Sequence, residues 1–336
     1  MRARLIVATV LIVGLGSLAM GQAPKKSRLN PVIELLEQKK PVFGLYAPSN
    51  RRGGPPQPGA VAPAVQLPEK PAAELAKEAL GYANSDFVFD GSMEGNFDRG
   101  YTAYAEFVKG VAQLGLFTKS PAHRLHHPLI VKSPEIAPDP ATVGAQIGKQ
   151  LNLGVSGVLF VSVESPEEVK QGLAAMRFKS KGGTRSEDVG TAPALWGLSE
   201  AEYKAKADLW PLNPEGELLN WTIVESKAGL AKVREIAAVK GIGVLWPGAG
   251  TLRGVFSTTD ASGKRVLDEA AWEASIQQVL AACKEFNVPC GYPATPNDIE
   301  MRMKQGFSVF VMNWGDAGFK TVDMGRKISG RDAGSR

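Results

Sequence analysis

"GVLFVSVESPEEVKQGLAAMRF", residues 157–178, decides how the chain folds. Its first seven residues are apolar almost without interruption, and a helical pattern runs from 166 to 178. A short strand with no polar face belongs in a parallel sheet covered on both sides. A helix directly after it is what a βαβ crossover needs. The same rhythm recurs along the chain. Strand patterns stand at 41–47, 86–92, 128–133, 157–163, 221–226, 243–248, 289–294 and 308–313. Helical patterns lie near 70–83, 98–115, 141–153, 166–178, 228–238, 269–287, 296–305 and 315–326. Eight such units predict an α/β fold of the (β/α)8 TIM-barrel type. A doubly wound sheet would carry a nucleotide fingerprint after an early strand, and "GLGSLAMG" falls in the N-terminal leader instead.

That leader has the layout of a secretory signal peptide. Arg2 and Arg4 precede "LIVATVLIVGLGSLAM", and Ala19 and Gly21 sit three and one before a cut ahead of Gln22. The expected organisation is a signal peptide over 1–21, a basic spacer over 22–29, a barrel over 30–326 and a tail over 327–336. The expected location is secreted or periplasmic, with no membrane attachment after cleavage. "PSNRRGGPPQPGAVAPAVQLPEKP", 48–71, reads as a long loop. Residues 179–219 and about 253–268 read as insertions leaving strand ends, where barrel enzymes keep active-site loops.

The net charge of +5 in 336 residues is mild and forms no aromatic-interleaved basic stripe, which argues against nucleic-acid binding. Of the two cysteines, Cys283 falls late in a helical pattern and Cys290 opens a strand pattern, which favours two buried free thiols over a pair. His123, His126 and His127 all precede the third strand, on the barrel face opposite catalysis. A Ser-His-Asp mechanism is thereby excluded from the catalytic face.

That catalytic face is formed by the C-terminal ends of the strands. The patterns deliver Tyr46, Asp90, Ser92, Glu94, Lys132, Ser162, Glu164, Glu225, Ser226, Tyr292, Asn313 and Trp314 there, with the backbone of "PGAGTLRG". Acids and a lysine on separate strands converge on one mouth.

At these motifs the chain resembles a family. "NPVIELLEQKKPVFGLY", "SDFVFDGSMEGNFD", "PLIVKSP", "GGTR" and, most closely, "IVESKAGLAKVREIAAVKGIGVLWPGAGTLRG" are similar to segments of the HpcH/HpaI aldolase/citrate lyase group of phosphoenolpyruvate/pyruvate barrels. The resemblance runs from Asn30 to about Trp314. It implies a (β/α)8 fold, often a homo-oligomer, and reversible aldol cleavage releasing pyruvate or a related oxoacid. It also implies Mg²⁺ or Mn²⁺ holding the pyruvate enolate. Glu225 matches the family's metal-binding glutamate, and the backbone of Gly248 and Ala249 matches the turn that approaches the substrate carboxylate. Thr251 stands where the family has a second metal-binding aspartate. Lys132 stands where it has an arginine, and Glu94 or Gly95 where it has a histidine.

These departures carry weight. Threonine removes a negative charge from the cation site. Lysine keeps its charge but loses the two-pronged grip of a guanidinium. Without the histidine, Glu94 is the candidate base, and Asp260 is the candidate source of a replacement metal oxygen. The expectation is a metal-dependent aldolase or lyase acting on a small 2-oxo or hydroxy-oxo acid, with Lys132 and Glu94 catalytic. Gly248, Ala249, Thr251 and Tyr46 would bind substrate, and Glu225 the metal. Two alternatives stand beside it: a non-catalytic carboxylate-binding protein, and changed chemistry on an aromatic or sugar acid using Tyr46, Glu94 and Tyr292.

Overall fold

The computed structural model describes residues 27–50 and 69–331. The expected signal peptide and most of the 48–71 loop lie outside them. Eight strands form where the apolar runs stand: β1 Val42–Tyr46, β2 Val88–Asp90, β3 Leu129–Lys132, β4 Gly157–Phe160, β5 Leu218–Val224, β6 Val244–Pro247, β7 Gly291–Tyr292 and β8 Val309–Met312. Each pairs in parallel with its neighbours in chain order, and β8 returns to β1 through Val42↔Val309. The bridge Leu245↔Cys290 joins β6 to β7 and closes the barrel.

The helices are α1 Pro31–Glu37, α2 Ala72–Gly81, α3 Phe97–Leu114, α4 Pro140–Asn152, α5 Pro166–Met176, α6 Ala192–Trp196 and α7 Glu200–Lys206. They continue as α8 Lys227–Ala231, α9 Val233–Ala237, α10 Ala249–Val255, α11 Glu269–Glu285, α12 Ile299–Gln305 and α13 Asp316–Ile328. Local chemistry starts several of them. Asn96 accepts from the Arg99 amide at 3.1 Å, and Ser165 from the Glu168 amide at 3.3 Å with Pro166 following. Each such cap is worth about 1 kcal/mol.

Side chains alternate between two cores. Ile130, Leu219, Trp221, Ile223, Val244 and Trp246 point into the barrel, where Trp221 stacks on Trp246 at 5.6 Å between ring centres. Leu129, Val131 and Leu245 point outward under the helices. This period-two alternation sets which residues reach the mouth.

α1 closes the opposite end, with Val32, Ile33 and Leu36 packed into the inner core. Buried charges fix that end. The Asp86 carboxylate accepts from the Phe43 amide at 2.8 Å, from Arg331 at 2.8 and 2.5 Å, and from Arg326 at 3.3 Å. Glu217 accepts from the Asn30 amide at 2.9 Å and lies 3.7 Å from Arg28. Arg28 and Arg331 are thereby part of the packed fold.

Two expectations are corrected. The insertion expected over 179–219 follows α5 and runs into the start of β5 at Leu218, so it enters at the end of the barrel opposite the mouth. Its strand Leu209–Trp210 pairs with the start of β5. The second insertion, a hairpin of Ser257–Thr259 with Arg265–Leu267, follows α10 and does lie on the mouth side. The cysteines are not free thiols: Cys283 and Cys290 form a disulfide with Cα atoms 5.7 Å apart. A tight return from α11 toward β7 brings them within the span that a disulfide requires.

Candidate active site

Continuing the alternation past each strand carries Lys132, Glu225 and Gly248 inward at the mouth, and Tyr46 packs against the inner core. Lys132 Nζ donates to Glu94 Oε2 at 2.8 Å. Its side chain is only 15% exposed, while Glu94 is 37% exposed. The lysine stem and the Tyr46 ring flank the same backbone. A methyl group on Gly91 would stand 3.3 Å from Lys132 Cδ and 3.6 Å from Tyr46 Cε1. Burial lowers the proton affinity of the Lys132 ammonium. The proximity of Tyr46 and the charge and hydrogen bond of Glu94, with Glu225 nearby, outweigh that and hold it above its ordinary value of 10.5. Lys132 is thus a persistent cation and not an amine nucleophile.

Glu225 is buried. Its Oε1 accepts from the Ser162 amide at 3.0 Å and from the Ser162 hydroxyl at 3.2 Å. Ser162 holds a left-handed backbone, φ 50°, to make these bonds. Gly248 lies against the same carboxylate. A Cβ there would stand 2.3 Å from Glu225 Cβ and 2.6 Å from Oε2, so only glycine fits. Ala249 follows as the buried first residue of α10.

Thr251 lies on α10 at the same rim but is exposed, outside the contacts that join Lys132, Glu94 and Tyr46. Asp260 turns its carboxylate onto its own hairpin, accepting from Ser262 and Lys264 amides at 2.9 Å, and does not join Glu225. Tyr292 points away from the mouth: its hydroxyl accepts from Arg302 at 3.1 Å in the outer core. That removes it from the aromatic-acid reading. Asp90 accepts from the Ser92 amide at 2.7 Å and shapes the turn that carries Glu94. The histidines stay out of the mouth. His123 bonds the Trp196 carbonyl at 2.8 Å, His127 is buried beside Tyr82, and His126 lines a cavity with Arg124 and Arg331 at the opposite end.

Two contributors carried no role in the sequence reading. Ser162 is one. The other is Gln150 of α4, fully buried, whose amide donates to the Lys132 carbonyl at 2.8 Å. A glutamine on the buried face of an amphipathic helix is the signal that could have found it.

The donor set does not fit a divalent ion. Mg²⁺ and Mn²⁺ want anionic oxygens in near-octahedral geometry. Glu225 spends one oxygen on two Ser162 donors and shares the mouth with the Lys132 cation, and Thr251 offers no carboxylate. Among the described residues no three His, Cys, Asp or Glu side chains gather closely enough to hold a metal.

The family model for HpcH/HpaI aldolase/citrate lyase matches residues 122–309, just over half of the chain. No curated protein sequence matches. Among solved structures, an HpcH/HpaI aldolase/citrate lyase family protein from Burkholderia cenocepacia J2315 superposes with a TM-score of 0.60 at 18% identity, covering 90% of this chain and 98% of that one. An HpcH/HpaI aldolase from Desulfitobacterium hafniense DCB-2 gives a TM-score of 0.58 at 14% identity, covering 91% and 98%. At such identities the superpositions bear on the fold, which they share with the barrel described above. The family match adds the lineage: the chain belongs to the HpcH/HpaI aldolase/citrate lyase family.

Proposed function

We propose that the protein is a carbon–carbon lyase of the aldol type, cleaving a small hydroxy-oxo acid through a pyruvate-like enolate. The observation that carries this reading is the Lys132–Glu94 pair, 2.8 Å apart at the inner edge of the mouth. Cleavage needs two things of a protein: a base for the substrate hydroxyl and a positive charge for the oxyanion that develops. Glu94 takes the hydroxyl proton as the C3–C4 bond breaks. The bonding electrons move onto the C2 oxygen, where the Lys132 ammonium receives the negative charge. Proton return to C3 then gives pyruvate and an aldehyde. General-base help is worth about 10²–10⁴ in rate, and preorganised charge at an oxyanion about 10²–10³. Tyr46 borders the bound acid beside Lys132. Gly248 and Ala249 form the floor that it approaches.

Export is part of the proposal. It is supported by the leader-like pattern of residues 1–21 and by the Cys283–Cys290 disulfide, a bond that persists in oxidising compartments. Among the described residues no helix is long and apolar enough to cross a membrane.

A panel of 4-hydroxy-2-oxo acids of increasing chain length, followed by pyruvate release, tests the reaction. Release by the wild type that is lost in Lys132→Met and Glu94→Gln is the expected result. Saturable binding of the same acids without pyruvate release would move the protein to the non-catalytic carboxylate-binding reading.

A further inference from the structure

Two carboxylates stand at this mouth, Glu94 and Glu225, and the Lys132 ammonium, carried inward by the same strand alternation as Glu225, is bonded to the first. Lys132 is bonded to Glu94 at 2.8 Å, is nearly buried, and lies in the field of Glu225. Its carbonyl is pinned by the buried Gln150, so the base of the lysine is fixed. Glu225 in turn is immobilised by both Ser162 donors and by the close approach of Gly248. Two anionic side chains in a partly desolvated mouth require a counter-charge. Here that charge is covalently attached to the chain.

We propose that the Lys132 ammonium is the resident cation of this site, and that Glu225 is a positioning residue and not a metal ligand. The inference rests on the lyase reading above and gives that site its cation. A lysine has three N–H donors. One is used by Glu94, which leaves two for the incoming oxyanion. No divalent ion is then needed to receive a 2-oxo acid. Removing the lysine leaves two uncompensated carboxylates, which is the charge pattern that a divalent cation binds.

The test uses Mn²⁺ as probe, with the free-ion signal read by electron paramagnetic resonance. The wild type should leave free Mn²⁺ unchanged at millimolar concentration. Lys132→Met should take up Mn²⁺ at least tenfold more tightly, and Lys132→Met/Glu225→Gln should lose that gain. Lys132→Gln repeats the measurement should the methionine variant fold poorly. Mn²⁺ binding by the wild type that disappears in Glu225→Gln overturns the proposal. No uptake by either lysine variant also overturns it. Calorimetry with oxalate, an enolate mimic, separates this inference from the lyase reading. Binding in the presence of a chelator supports the proposal. Binding only with Mn²⁺ overturns it while keeping the lyase reading. No oxalate binding under either condition overturns the lyase reading itself, whatever the Mn²⁺ result.

Discussion

The Ser162 amide donates to Glu225 Oε1 at 3.0 Å from a backbone held at φ 50°. Left-handed backbone at a non-glycine residue costs about 1 kcal/mol or more and persists where surrounding contacts enforce it. Here two bonds to one carboxylate enforce it. Ser162→Gly should relieve the strain while losing the hydroxyl bond, leaving stability within about 1 kcal/mol of wild type. Ser162→Ala keeps the strain and loses the bond, and should destabilise by about 1 kcal/mol. Urea unfolding of both variants checks the order. Ser162→Ala as stable as Ser162→Gly would mean that the Glu225 bond does not hold the backbone.

Lys132 sets the pH range over which anions bind. Its ammonium is held above 10.5, so its favourable interactions are fully present below that value and are lost as pH rises through the higher folded value. Oxalate affinity should therefore stay flat from neutral pH to about 10 and fall above 10.5. Calorimetry across that range measures it. A loss of affinity between pH 8 and 9 would show that Lys132 is not the receiving charge.

Asp86 anchors the opposite end through Phe43, Arg326 and Arg331. Removing one partner of a buried ion cluster leaves unpaired charges and costs about 3–5 kcal/mol. Asp86→Ala should lower stability by that amount in denaturant unfolding, while pyruvate release per folded molecule stays at the wild-type level.

The Cys283–Cys290 bond closes a loop of sequence separation 7. Chain-entropy arguments give about 2–3 kcal/mol for so short a loop. Cys283→Ser/Cys290→Ser should lower stability by up to that amount. Thiol labelling of the unfolded wild-type protein should find no free cysteine until a reductant is added.

The barrel was legible because each of its strands is a short apolar run with no competing pattern. All eight appear where the runs stand, and β5 merely starts three residues early, at Leu218. α1 escaped because seven residues are too few for a clear period, although Asn30 before Pro31 is a cap-and-start signal. Placement at the mouth was legible where strand parity decides orientation, as for Lys132 and Glu225. It was misread at Tyr292, because β7 is only two residues long and its inward position belongs to Gly291. Thr251 and Asp260 sit on a short helix and a hairpin, whose side-chain directions strand parity does not set. The cysteine pair depends on a turn geometry that spacing alone does not reveal.

The exchange of pyruvate methyl protons for deuterium, followed by NMR in D2O with a chelator present, reads enolate formation directly. The wild type should accelerate exchange, and Lys132→Met should lose about 10²–10³ of that acceleration, the share expected of an oxyanion partner. Exchange no faster than in buffer, or equally fast in Lys132→Met, would contradict the role given to this mouth.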